Sequence, residues 1–195
     1  MPSRTPSEAA EPHRLPGSGP SVGEPRWLDD EQQLAWRANA AIMIRLPAAL
    51  DARMHRETGL TYFEYMVLSS LSEADDHTLR MGALASRTSS SLSRLSHVAG
   101  RLEKQGLLQR SRVPGSGRRT NATLTAAGYA KVAATAPGHV AAVREYFIDV
   151  LEPNDLATLR RIGAAVAASI DRDIPGPSVT DMPTPGSSSP TGPAD

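Results

Sequence analysis

Between Ser89 and Arg119 the chain sets charged and hydrogen-bonding side chains at spacings that bring them onto one surface. Arg94, His97, Arg101 and Lys104 follow one another at intervals of three, four and three, which stacks them along one face of a helix. Ser89, Ser90, Ser91 and Ser93 surround the start of that helix, and Arg118 and Arg119 follow a Pro114-Gly115-Ser116-Gly117 turn. The chemistry these groups offer is non-covalent. Guanidinium and hydroxyl groups pair with phosphate oxygens and with base edges, arginine favouring guanine. A helix of this kind fits a DNA major groove roughly 12 Å wide, and a hairpin tipped with arginine reaches the neighbouring minor groove. The candidate DNA-binding set is therefore Ser90, Ser91, Ser93, Arg94, His97, Arg101, Lys104, Arg118 and Arg119. Arg94, His97 and the serines are expected at base edges and phosphates, and Arg101 and Lys104 at the backbone.

Charge distribution supports this set. The whole chain of 195 residues is formally neutral, yet the segment from Asp76 to Thr125 holds nine Lys and Arg against two acids. That segment is +7 and the remainder −7, the asymmetry expected of a nucleic-acid-reading module joined to acidic flanks.

Other chemistries find little footing. The chain has no cysteine, which excludes disulfides, thiolate metal sites and a thiol oxidant sensor. Gly115-Ser116-Gly117 lacks the Lys-Ser/Thr of a phosphate-binding loop and the G-x-S-x-G of a nucleophile elbow, so it reads as a hairpin turn. His55, His77, His97 and His139 show no metal-ligand spacing and read as isolated polar or capping residues. No acid/base pair or nucleophile motif points to an enzyme, and no cofactor or metal is expected. No apolar run approaches the roughly 20 residues of a membrane span, and no signal segment opens the chain, so a soluble cytoplasmic protein is expected.

The elements that must hold the candidate site follow from periodicity and caps. Leu92, Leu95, Val98, Ala99 and Leu102 form the buried stripe of a helix over Ser90 to Lys104, with the serines before it as N-cap and Gly106 as its end. Met81 to Arg87 is the helix that precedes it. Leu108 to Arg112 and a return strand ending at 122–124 form a hairpin, and Leu79-Arg80 adds a third short strand. Upstream, Asp29 with Gln32 and Thr61 with Glu64 read as capping boxes, opening a long helix ended by Gly59 and a shorter one over 62–73. Pro47 is expected to kink or split the long helix. Thr125 opens a helix running to about Val150 with a bend at Pro137-Gly138, and Leu156, Leu159, Ile162, Val166 and Ile170 make the stripe of a last helix. Residues 1–26 and 172–195 hold twelve of the sixteen prolines and are expected to be disordered tails.

At this point the sequence resembles the MarR family of winged helix-turn-helix regulators. The resemblance is carried by Leu84-Ala85, Ser91-Leu92-Ser93-Arg94-Leu95-Ser96-His97, Arg101-Leu102-Glu103, Gly106-Leu107 and Leu124-Thr125-Ala126-Ala127-Gly128, and it extends over about 27–171. It implies a mainly α fold with a small β-wing: a winged helix-turn-helix domain (about 60–128) flanked by dimerisation helices (about 29–58 and 129–171). It also implies a homodimer on a pseudo-palindromic double-stranded DNA operator, acting as a repressor relieved by a small aromatic effector. In the family an Asp-x-Arg pair places an arginine in the minor groove; here Ser116 stands where the Asp would be, which leaves Arg118, ahead of Arg119, as the wing arginine. Trp36, His55, Tyr62 and Tyr65 are candidates for an effector pocket but read first as core and interface. The competing expectation is an interaction module of the same fold that has lost operator recognition, motivated by Ser116 and the overall neutrality.

Overall fold

The computed structural model describes residues 25–112 and 119–173. Helix α1 runs Asp30–Thr58, α2 Tyr62–Ser72, α3 Met81–Arg87, α4 Leu92–Lys104, α5 Ala126–Val143 and α6 Asp155–Ile170. Strands β1 (Thr78–Arg80), β2 (Leu108–Arg112) and β3 (Thr120–Leu124) form one antiparallel sheet in the order β1-β3-β2. The fold is mainly helical with a small β-wing, as expected. The contacts divide the chain into two units at Ala38, inside α1.

In the first unit, α1 opens at Asp29. The Asp29 carboxylate accepts from the Gln32 backbone N–H at 2.8 Å and Gln32 returns its side-chain oxygen to the Asp29 N–H at 3.2 Å, a reciprocal cap. Leu34 and Trp36 stand exposed here.

The second unit holds the core. Val67, Leu68 and Leu71 of α2, Leu84 of α3, and Leu95, Ala99 and Leu102 of α4 are completely buried against Leu108 and Ala122 of the sheet. Each large apolar side chain removed from water contributes about 1.5–3 kcal/mol, and this cluster fixes α4 against its supports. Register follows alternation: Leu108 faces Leu124 and Arg110 faces Ala122 across the hairpin, while Leu79 pairs with Ala122 on the other edge.

Of the kink or split expected at Pro47, the split does not occur: α1 is continuous through it, since one missing donor removes a single rung while both flanking turns keep theirs. Helix α5 is continuous through Pro137 and passes into a π-helical turn at Arg144–Ile148. Leu92 is not part of the buried stripe but 55% exposed, because it sits in the first turn of α4 where no element covers it. Most of both proline-rich tails lies outside the described residues. Among the described residues, no helix is long and apolar enough to cross a membrane.

The start of α5 is tied to the loop after α4. Thr125 donates its backbone N–H to the Leu107 carbonyl at 3.1 Å and its hydroxyl to the Gly106 carbonyl at 2.7 Å, while Gly128 N–H caps back onto that hydroxyl at 3.0 Å. A Cβ at Gly128 would stand 2.0 Å from the Leu107 carbonyl oxygen and 2.7 Å from Leu124 Cδ1. Gly128→Ala is therefore expected to cost at least about 2 kcal/mol in urea denaturation. Gly100→Ala, whose new methyl would meet only Arg110 at 3.6 Å, should be neutral or stabilising by up to about 1 kcal/mol.

Candidate nucleic-acid interface

Helix α4 is presented by the turn that precedes it. Thr88 donates its hydroxyl to the Leu84 carbonyl at 2.8 Å and pairs with the Ser90 hydroxyl at 3.1 Å, and Ser89 takes a left-handed φ of 46° to reverse the chain. Ser91 then caps α4, its hydroxyl accepting from the Arg94 N–H at 3.2 Å. Ser90 and Ser91 of the candidate set thus use their hydroxyls to build the turn and the cap. The expected start at Ser90 moves to Leu92, two residues later.

With Leu95, Val98, Ala99 and Leu102 turned inward, the remaining positions of α4 divide into three strips. Ser93, His97 and Lys104 lie exposed on the outermost strip, with Gly100 between the last two. One flank faces α2: the Arg94 guanidinium carbon lies 4.2 Å from the centroid of the Phe63 ring, and Arg101 donates from Nε and Nη2 to Glu64 Oε1 at 3.2 and 3.0 Å. The other flank, Leu92 and Ser96, borders a cleft of about 500 Å3. That cleft is closed by Arg80 and Gly82 at the start of α3 and by Arg110, Arg119 and Thr120 at the base of the wing.

Counting cations in the sequence overstates the positive charge left free for a ligand. Arg87 is bound to Glu73 at 2.8 Å, Arg101 to Glu64 at 3.0 Å and Arg110 to Glu103 at 2.6 Å. The Arg110 guanidinium and backbone N–H hold the Glu103 carboxyl below the usual range. Arg80, Arg94, Lys104, Arg112 and Arg119 have no carboxylate partner among the described residues. These five lie on α4, at the ends of β1 and β2 and beside β3.

Glu64 is the pivot. The residue is 5% exposed, and its Oε2 accepts from the Thr61 N–H at 2.9 Å and the Thr61 hydroxyl at 3.0 Å while Oε1 takes Arg101. Burial by itself would raise its pKa; the Thr61 backbone N–H, the Arg101 side chain and the Thr61 hydroxyl outweigh that and leave it lowered. The partner of Arg101 lies 37 residues away, so sequence spacing alone did not reveal it.

The structure brings Ser93, Arg94, His97, Arg101, Lys104 and Arg119 onto one exposed surface, whereas Arg118 lies outside the described residues. Arg80, Leu92 and Ser96 join them at the cleft without having been singled out as site residues. For Leu92 and Ser96 the signal was available in their i, i+4 spacing beside Arg94 and His97. Of the four pocket candidates, Trp36 and His55 are exposed, while Tyr62 and Tyr65 converge on His139, at 5.7 and 4.8 Å between ring centroids. His139 is thus a buried partner of aromatic rings and not the isolated or capping residue expected.

Comparison with known proteins is consistent with this geometry. A family model described as MarR family matches residues 58–119. The chain is similar to AbsC, a MarR family transcriptional regulator from Streptomyces coelicolor. That likeness has 36% identity and a TM-score of 0.71, covering 76% of this chain and 99% of that one. It is similar too to Sco3205, a MarR family regulator of the same organism solved in complex with DNA, at 36% identity and a TM-score of 0.71, over 80% and 98% of the two chains. A probable transcriptional regulator from Pseudomonas aeruginosa is 26% identical with a TM-score of 0.59, over 70% and 98%. No curated protein matches the chain.

Because the folded pKa of Glu64 is lowered, its contribution to stability is present above the unfolded carboxyl value of about 4.3 and is lost as pH falls through the folded value. Glu64→Gln should therefore destabilise by about 1–3 kcal/mol at pH 7, and its gap from the wild type should narrow below about pH 4 in pH-dependent denaturation. Arg101→Ala should lower thermal stability as well, whereas Lys104→Ala should leave it unchanged, which differential scanning calorimetry will separate.

Proposed function

The chain belongs to the MarR family of DNA-binding transcriptional regulators, and on that footing we propose that it acts as a homodimeric repressor that blocks promoter access until a small aromatic effector releases it. One observation carries the DNA-reading part. The outermost strip of α4 bears Ser93, His97 and Lys104, and cations with no carboxylate partner among the described residues border it on both sides: Arg94 toward α2, and Arg80 and Arg119 around the cleft. A strip of this kind offers groups for base edges in its centre and phosphate contacts at its margins. Sco3205, 36% identical over 80% of this chain, was solved with DNA, which supports the assignment.

Within this proposal the winged helix-turn-helix occupies about 60–128, and the helices at 29–58 and 129–171 form the dimer. No residue of α6 is buried, and Leu156, Ile162, Val166 and Ile170 are 43–54% exposed along one side. An apolar stripe of that length calls for a partner, and a two-fold copy of the same chain is the commonest one. The dimer then presents two α4 helices to half-sites about 10 bp apart, in the cytoplasm where the genome lies. Arg118, Ser90 and Ser91 remain in the proposed interface with Arg119, the serines through their position at the helix start.

A second reading keeps the fold and drops operator recognition. Ser116 at the wing and the three internally neutralised arginines favour it. Fluorescence anisotropy at two salt concentrations decides: preference for a selected operator over unrelated DNA that persists at the higher salt supports the regulator, and its disappearance supports the module. Lys104→Ala should weaken binding to all sequences and reduce the salt slope by about one. Arg94→Ala and His97→Ala should each relax the selected consensus, at a cost of about 1–3 kcal/mol in discrimination. A consensus unchanged in both variants sinks the base-reading assignment. In sedimentation, Ile162→Glu combined with Val166→Glu should convert a dimer to a monomer; a wild-type monomer contradicts the proposal.

A further inference from the structure

We infer that Phe63 is the positioning residue of the Arg94 guanidinium, holding it by the flat of the ring so that its N–H donors stay free for a base edge. This rests on the base-reading role proposed above for Arg94 and adds the residue on α2 through which that role is set.

Three consecutive residues at the start of α2 serve three different neighbours. Tyr62 lines an aromatic cavity with Tyr65 and His139, Phe63 lies beneath Arg94, and Glu64 anchors Arg101. The backbone here is pinned, because the Thr61 hydroxyl accepts from the Glu64 N–H at 3.2 Å and the Glu64 carboxylate accepts from the Thr61 N–H at 2.9 Å. Phe63 itself is half-buried and packs against the core. Its ring therefore has a fixed place, and the Arg94 guanidinium carbon stands over it, 4.2 Å from the centroid.

Arg94 and Arg101 lie seven positions apart on the same flank of α4, and α2 treats them in opposite ways. Glu64 takes Arg101 through Nε and Nη2, in-plane donors that would otherwise be open to a ligand. Phe63 takes Arg94 through the π face, a contact that uses none of the guanidinium N–H groups. Arg94 also has no carboxylate partner among the described residues. A bidentate pair with guanine needs the guanidinium plane aligned with the base edge. A side chain restrained before DNA arrives gives up less freedom in making that pair. Leucine at 63 would keep the apolar packing but offer no π face.

Binding-site selection on the full-length protein tests this with Arg94→Ala, Phe63→Leu, Phe63→Tyr and the double variant Arg94→Ala/Phe63→Leu. Arg94→Ala first identifies the operator positions that Arg94 reads. At those positions Phe63→Leu should lower discrimination about two- to fivefold. Its affinity for unrelated DNA should stay within about twofold of the wild type, because the charge is retained. Phe63→Tyr keeps the π face and should keep the wild-type preference. Once Arg94 is alanine, Phe63→Leu should change discrimination by less than about twofold. Should Phe63→Leu fail to fold, proton spectra of the wild type decide. The Arg94 Hδ signal, assigned by its loss in Arg94→Lys, should lie upfield of the other arginines through the ring current of Phe63. Undiminished preference in Phe63→Leu, an even loss at every operator position, the same loss without Arg94, an equal loss in Phe63→Tyr, or an Arg94 Hδ signal among the other arginines each overturns the inference. If Arg94→Ala leaves the consensus unchanged, the base-reading role falls and takes this inference with it. Preference lost in Arg94→Ala but kept in Phe63→Leu removes the positioning role alone.

Discussion

A single buried carboxylate ties α4 to α2 in this protein. Glu64 closes the first turn of α2 by accepting two hydrogen bonds from Thr61, and with its other oxygen it anchors Arg101 of α4. A carboxylate this buried persists only when nearly every lone pair is used, and here both oxygens are engaged. Nearby links reinforce it: the Tyr62 N–H donates to Asp51 of α1 at 2.7 Å, Phe63 supports the Arg94 guanidinium, and Lys131 of α5 donates to the last carbonyl of α1 at 2.6 Å. The first turn of α2 is therefore the junction where α1, α4 and the aromatic cavity meet.

That junction also clarifies the electrostatics. The +7 excess between Asp76 and Thr125 is real, yet Arg87, Arg101 and Arg110 each lie against a carboxylate, of which Glu64 and Glu73 come from outside the segment and Glu103 from within it. These pairs orient secondary structure, and the cations without a carboxylate partner among the described residues stand around α4 and the wing base. A basic surface of modest net charge results, where position matters more than total charge.

How much of this was legible depends on the range of the interaction. Local signals read well: the Thr61/Glu64 capping box, the Ser91 and Thr125 caps and the left-handed Gly106 all stand where the residue types put them, because each is decided within four residues. The three-stranded sheet and the buried residues Leu95, Val98, Ala99 and Leu102 followed from alternation and helical period. Partnerships across the chain did not read. Nothing near Arg101 in sequence points to Glu64, and His139 looked isolated because its tyrosines lie more than seventy residues upstream. Leu92 shows the limit of periodicity, which gives the direction of a side chain along a helix but not whether anything covers its end. The split allowed for at Pro47 failed in the same way, since ring sterics are local while helix continuity is secured by the turns on either side.

The commitment of one side of α4 to α2 has a bearing on how such a reader can diversify. Arg94 and Arg101 face Phe63 and Glu64, so replacing either disturbs the mounting of the helix along with whatever it touches beyond. Ser93, His97 and Gly100 carry no such duty in the fold. If α4 reads DNA as proposed, new operator preferences are reached most cheaply by exchanging those three, and a library meant to reprogram the helix should randomise that ridge while leaving the α2-facing side untouched.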